Sequence, residues 1–283
     1  MPENLFEVRI SFSASNYEAL QNALYMDGIK NILEEEGHLV FYFEEAEYEN
    51  IESLKTSLLN EKIIKENDFS VRKFENKNWN EEWEKSIDPV YIRNKIVIYP
   101  SWKKNELEDV QDKILIEIDP KMSFGTGQNE TTQLVLELMC DNLEGTETKL
   151  LDFGCGTGIL TIAGLKLGVN EAVAIDIDDD SIENAKEYFI KNDVHQRVKL
   201  LKSGLPELEE DSFDIICANI IRSVIIENIE HIRDKINQRG KLFLSGILIS
   251  EDQEILEYLT QNDFEVIDIV SKAEWIGIYA VKI

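Results

Sequence analysis

Basic side chains are scarce in this 283-residue chain: 29 Lys and Arg stand against 56 Asp and Glu, a formal net charge of −27 at pH 7. Phosphate contacts need a basic face, and this surface repels a polyanion at long range, so direct nucleic-acid binding is not expected. The same imbalance would attract a basic macromolecule, but acidity also serves solubility, and composition alone leaves both readings open. Cysteine is equally sparse. Cys140, Cys155 and Cys217 lie far apart with no Cys-x-x-Cys pair, which argues against a disulfide framework and a zinc site. His38, His195 and His231 are scattered as well, so no metal is expected. No basic segment followed by an apolar run opens the chain, and no apolar stretch approaches the ~18 residues of a membrane span. No membrane association is expected, and a cytoplasmic location follows, with a monomer as the default state.

What is present is enough to fold. Hydrophobic residues make up 43% of the chain, which fills real cores despite 30% charged residues. The length suits one core of about 150 to 200 residues plus a smaller module. In the first 75 residues, Leu5 to Ser13 alternates like a strand, and Ser15 can cap a helix carrying Ala19, Leu20, Ala23 and Leu24 at helical spacing. Ile29 to Leu33 and His38 to Phe43 read as strands, Ile51 to Leu59 as an amphipathic helix, and Phe69 to Phe74 as a closing strand. The order βαββαβ predicts a small α+β, ferredoxin-like domain over residues 1 to 75. Residues 76 to 95, with Trp79, Trp83 and Pro89, read as a linker.

From Ile96 to residue 283 the rhythm changes. Strand-like runs at Val97 to Tyr99 and Ile114 to Ile118 precede Asp119-Pro120, and a helix is predicted over Thr131 to Cys140. Strands then alternate with helices: Leu150 to Phe153, Ile159 to Leu167, Ala172 to Ile175, Ser181 to Asn192, Val198 to Leu201, Phe213 to Ala218, Ile225 to Ile236, Lys241 to Ile247 and Glu251 to Leu259. Such alternation predicts a doubly wound, mainly parallel, Rossmann-like α/β sheet. Phe264 to Val270 and Trp275 to Val281 lie too close for an intervening helix and predict an antiparallel hairpin at one edge.

In such a sheet, ligands bind beyond the carboxyl ends of the strands. One strand ends there in Asp152-Phe153-Gly154-Cys155-Gly156-Thr157-Gly158. Its glycines let the backbone turn sharply and approach a ligand. A dinucleotide fingerprint, G-x-G-x-x-G, needs a third glycine at 159, where this chain has Ile159. The form here, G-x-G-x-G after an acidic residue, is typical of S-adenosylmethionine enzymes. Asp176 closes the next strand, where a carboxylate can accept from both ribose hydroxyls; that supports an adenosine without choosing among cofactors. The bland alternative is a tight strand-to-helix turn with no ligand. Asp178, Asp179 and Asp180 read as a helix cap and solvated face. A later strand delivers Asn219, whose amide oxygen could accept from a substrate amine, or which could simply close a turn. The Asn-Pro-Pro-aromatic motif that suits adenine or glutamine amides is absent after Ala218. The Gly- and Thr-rich stretch Met122 to Thr132 is a candidate lid with a strong helix cap.

Taken in order, Ile118-Asp119-Pro120, Ser123-Phe124-Gly125-Thr126-Gly127, Thr131-Thr132, Asp152 to Leu160, Ile175-Asp176-Ile177-Asp178, Ala218-Asn219-Ile220, Leu244 to Leu248 and Glu274-Trp275 resemble the bacterial methyltransferases of the eleventh large-subunit ribosomal protein. The likeness runs from Trp79 onward and is weaker before it. It implies methylation of lysine ε-amines and the α-amine of that protein, with the N-terminal domain gripping the substrate. It also implies that Thr132, Gly154, Asp176 and Asn219, alongside Gly156 of the same turn, contact S-adenosylmethionine, and that Thr132 and Asn219 orient the amine. One departure stands out: the family's loop usually reads Gly-Thr-Gly-x-His, and here position 129 is Asn129. Residues 1 to 50 carry eleven acidic side chains against Arg9 and Lys30, a module suited to a basic protein. A methyltransferase for another protein or a small molecule would share the glycine turn without needing that module. A non-catalytic ribosome-associated protein would bind the cofactor weakly or not at all.

Overall fold

The computed structural model describes residues 5–13, 15–29, 32–35, 37–44, 48–74, 87–119 and 127–283. The chain divides into two compact units, Met1–Ser86 and Ile87–Ile283.

In the first unit, strand β1 (Leu5–Ser11), helix α1 (Tyr17–Met26), β2 (Leu33–Glu35), β3 (His38–Glu44), helix α2 (Tyr48–Asn60) and β4 (Phe69–Phe74) follow one another. The strands form an antiparallel sheet in the order β2-β3-β1-β4. Alternation aims Val8 and Ile10 of β1 and Leu39 and Phe41 of β3 at one face, where Leu20 and Leu24 of α1 and Ile51, Leu54 and Leu58 of α2 close a core. Two local expectations shift. Helix α1 takes Asn16 rather than Ser15 as its N-cap, and the Asn16 side chain is engaged elsewhere: it accepts from the Ser13 N–H at 2.7 Å and donates to the Ile63 carbonyl at 3.0 Å. Of the strand expected at Ile29 to Leu33, residues 30 and 31 lie outside those described, and the described strand begins at Leu33, where pairing with Val40 starts.

The second unit begins with β5 (Val90–Ile92), β6 (Ile96–Tyr99) and β7 (Ile114–Glu117), a small sheet with β5 antiparallel and β7 parallel to β6. Residues 90 to 95 therefore pair into this unit rather than serving as linker; residues 76 to 86 lie outside those described. Helix α3 (Glu130–Asn142), β8 (Lys149–Phe153), α4 (Ile159–Lys166), β9 (Glu171–Asp176), α5 (Asp179–Lys191), β10 (Val198–Lys202), β11 (Phe213–Asn219), α6 (Arg222–Glu227), α7 (Ile229–Lys235), β12 (Ile236–Leu248), α8 (Asp252–Gln261), β13 (Phe264–Lys272) and β14 (Trp275–Lys282) follow. The single helix expected over Ile225 to Ile236 is split at Asn228, which ends α6 and starts α7.

Seven strands form one sheet in the order β10-β9-β8-β11-β12-β14-β13, parallel except for β14, which runs against both neighbours. Each strand feeds both faces. Leu150, Ile215 and Cys217 join a core closed by α3, α4 and α5, while Leu151, Ile216 and Ala218 join one closed by α6, α7 and α8. Burial of each such aliphatic side chain contributes roughly 1.5–3 kcal/mol. The chain leaves β8 toward β9 on one side and returns to β11 on the other, so the strand order reverses at β8. A crevice opens at the carboxyl ends of β8 and β11.

Candidate functional site

The glycine turn sits at that reversal. Gly154 follows β8 with φ +73°, and both its N–H and that of Cys155 donate to the Ile175 carbonyl, at 2.9 and 3.0 Å, tying the turn to the end of β9. A Cβ on Gly154 would lie 2.5 Å from the Ile220 methyl, so no side chain fits between the turn and the segment after β11. Gly156, also at positive φ, donates its N–H to Asp176 Oδ2 at 2.9 Å. Asp176 Oδ1 accepts from the Asp178 N–H at 3.0 Å. Each carboxylate oxygen retains acceptor capacity beyond those bonds. Asp178 caps α5, accepting from the Ser181 N–H and hydroxyl at 3.0 and 3.1 Å.

Around this turn lies a cavity of about 770 Å³. Gly154, Gly156, Asp176 and Asn219 all line it. Ser203, whose N–H donates to the Asp176 carbonyl at 3.0 Å, borders the end beside β9 and β10. Asn129, Glu130, Thr131, Asn219 and Trp275 border the other end. Thr132 does not line the cavity. It is wholly buried, and its Oγ1 accepts from Asn219 Nδ2 at 3.1 Å. That bond orients the amide, and Asn219 Oδ1 is left buried without a partner among the described residues. The Oγ1 of Thr131, a residue only 5% exposed, is likewise unpartnered. Consecutive helical residues differ by about 100° in direction, so of two adjacent threonines one faces the cavity and the other backs it. The adjacent pair signals that a threonine is wanted there but cannot say which. Of the lid expected over Met122 to Thr132, residues 122 to 126 lie outside those described.

Beneath the turn, Asp152 is fully buried. Its Oδ2 accepts from the Thr161 N–H at 3.0 Å and hydroxyl at 2.7 Å, and its Oδ1 has no partner among the described residues. Burial pushes its carboxyl up to about 6 against the pull of the Thr161 bonds, and the Asp176 charge adds to the rise. The three thiols are free and buried, and burial raises each of them, Cys140 to about 11. None serves as a thiolate nucleophile near neutral pH. Among the described residues no cluster of His, Cys, Asp and Glu suits a metal ion, and no helix is long and apolar enough to cross a membrane.

An adenosine cofactor fits this arrangement: a backbone cradle with no Cβ, a ribose-height carboxylate, and two orphaned acceptors at the far end of one cavity. Residues 6–283 match the family described as ribosomal protein L11 methyltransferase (PrmA). The ribosomal protein L11 methyltransferase of Thermoanaerobacter pseudethanolicus is 33% identical over 99% of this chain and 89% of its own length. That of Chlorobaculum parvum is 34% identical over 97% and 95% respectively. Among solved structures, the ribosomal protein L11 methylase of Lactobacillus delbrueckii subsp. bulgaricus superposes with a TM-score of 0.64 at 28% identity, covering 69% of this chain and 99% of that one.

Proposed function

The chain belongs to the ribosomal protein L11 methyltransferase family, and from that premise we propose that its cavity methylates amino groups of L11, with Asn219 receiving the amine. The enzyme is an S-adenosylmethionine-dependent protein methyltransferase, and S-adenosylmethionine is its cofactor. One observation carries the assignment to Asn219: an amide oxygen, buried and unpartnered, at the rim of the sheet where the glycine turn and Asp176 meet the cavity.

When bound, S-adenosylmethionine supplies a methyl already activated on a sulfonium, so the protein needs no nucleophile of its own. Its work is positioning. Asp176 accepts from ribose hydroxyls, and its hold on the Gly156 N–H keeps the turn shaped for the nucleoside. Gly154 and Gly156 allow the backbone to approach. Thr132 acts behind the site, fixing the Asn219 amide so that Oδ1 faces the amine N–H and aligns the nitrogen lone pair with the methyl. Phe153, Leu205, Ile220 and Val224 give the cavity an apolar lining that partly desolvates the reacting nitrogen.

The first unit is read as a ferredoxin-like substrate-recognition domain. Its sheet order β2-β3-β1-β4 with two helices supports that reading, and the antiparallel pairing of β13 with β14 supports an edge hairpin in the second unit. The excess of acid over base supports a basic substrate protein and no direct nucleic-acid contact, and a ribosomal-protein substrate suits action in the cytoplasm. Incubating the enzyme with labelled S-adenosylmethionine and purified ribosomal proteins, followed by mass spectrometry, tests the whole reading. Label on L11 amines is expected, and its absence there refutes the substrate.

A further inference from the structure

The end of the cavity bordered by α3 carries a feature that the reaction described above does not use. Glu130, the first residue of α3, lines the cavity with its side chain partly buried. No described residue forms an ion pair or hydrogen bond with its carboxylate. Among the described residues the only other acid in the lining is Asp176, and both of its oxygens already accept backbone N–H groups. Among the described residues no Lys, Arg or His lines the cavity. The same lining includes Thr131 and Asn219, whose Oγ1 and Oδ1 are buried without partners among the described residues, one on the next residue of α3 and one on an amide held by Thr132.

These three groups share a character. Each can accept a hydrogen bond, one carries a negative charge, and the neighbouring lining is apolar. A primary ammonium has three N–H donors, no acceptor and one positive charge. A carboxylate, a hydroxyl and an amide oxygen satisfy it completely, whereas an anion would meet Glu130 unshielded, and a neutral amide would leave the charge uncompensated. A first-turn glutamate also interacts favourably with its own helix dipole, which explains its tolerance there. That interaction does not explain the two orphaned acceptors in the same lining.

We propose that Glu130 completes, with Thr131 and Asn219, a receptor for a primary ammonium group, the form in which a lysine side chain reaches the enzyme at neutral pH. The proposal rests on the reading of Asn219 as the amine acceptor. Glu130 recognises the charged form on arrival; the proton then leaves to water before transfer, and Asn219 keeps the neutral nitrogen aligned. The methionyl part of the cofactor also carries a primary ammonium, so the test needs two arms.

In the first arm, Glu130→Gln and Glu130→Asp are compared with wild type for kcat and KM on purified L11 at saturating cofactor. In the second, dissociation constants are measured for S-adenosylhomocysteine and for methylthioadenosine, which lacks the amino-acid group. Loss of a charged hydrogen bond should change the affected constant about tenfold or more, with Asp restoring part of it. A raised KM for L11 with unchanged nucleoside binding supports the receptor with the substrate amine as guest. Weakened S-adenosylhomocysteine with unchanged methylthioadenosine supports the receptor with the cofactor ammonium as guest. Wild-type constants throughout, or equal weakening of both nucleosides and L11, overturn it. If wild type leaves L11 unlabelled, the substrate assignment fails while the nucleoside arm still reads the receptor. Thermal unfolding of the variants close to wild type separates both results from a folding defect.

Discussion

Replacing Asp152 with asparagine should stabilise the protein at neutral pH. The carboxyl is wholly buried under the glycine turn and held up to about 6, against an ordinary value of 3.8. An acid raised in the folded state binds its proton more tightly there than in the unfolded chain. Its favourable contribution is therefore complete below about 3.8, is lost as pH rises toward about 6, and is absent above that. The difference corresponds to ~3 kcal/mol at pH 7. The Asp152→Asn side chain would keep one oxygen to accept both Thr161 donors, but its new amide N–H groups would occupy the place of Oδ1, which has no described partner. An unsatisfied buried donor costs about 1–2 kcal/mol. The net expectation is a gain of about 1–2 kcal/mol at pH 8, shrinking to zero or reversing near pH 4. Urea unfolding of both proteins across pH 4 to 8 reads this directly. A stability difference that does not change with pH, or one that grows toward acid, refutes the reasoning. Should the variant also bind S-adenosylmethionine more weakly, the buried charge is being retained for the cofactor at the expense of stability.

Two further substitutions test the local architecture. Gly158→Ala forces a side chain onto a residue at φ +76°, with its Cβ 2.3 Å from the buried Phe189 ring; a loss of about 2–3 kcal/mol is expected by chemical denaturation, and a loss under about 0.5 kcal/mol contradicts the geometry. Thr132→Val removes the acceptor that orients Asn219 while preserving shape. It should lower kcat about fivefold and leave the affinity for S-adenosylhomocysteine near wild type. Asn219→Ala should lower kcat further, and a matching loss of cofactor affinity in either variant would make that residue a cofactor contact instead.

Much of the second unit was legible because the governing interactions are local. A strand carrying Asp152 near its end, glycines spaced to turn at positive φ, and an acid closing the next strand lie within one strand–helix–strand unit, and Asp178 caps α5 through a residue three positions on. The break at Asn228 and the early start of the second unit at Ile87 escaped that reading. Neither is marked by composition: β5 is a strand because β6 pairs with it across a short hairpin, not because Val90–Ile92 is strongly patterned, and Asn228 ends α6 by donating its side-chain amide back to the Val224 carbonyl at 2.9 Å.

The arrangement where α3 meets Asn219 belongs to the tertiary structure. The sequence alone identified Thr132 and Asn219 as candidates, and it determined the fold class, the nucleoside turn and the acidity that suits a basic partner. It could not reveal that 87 positions of chain close into one hydrogen bond between them, that this bond turns Thr132 into a support, or that Thr131 and Glu130 face the cavity instead. The rotation of α3 about its axis is set by packing against the sheet, through Leu134, Val135, Leu138 and Met139, and not by the identity of the threonines. Likewise, Asp152 is an ordinary carboxylate in the sequence. Only its complete removal from water makes it a weak acid and a liability to stability.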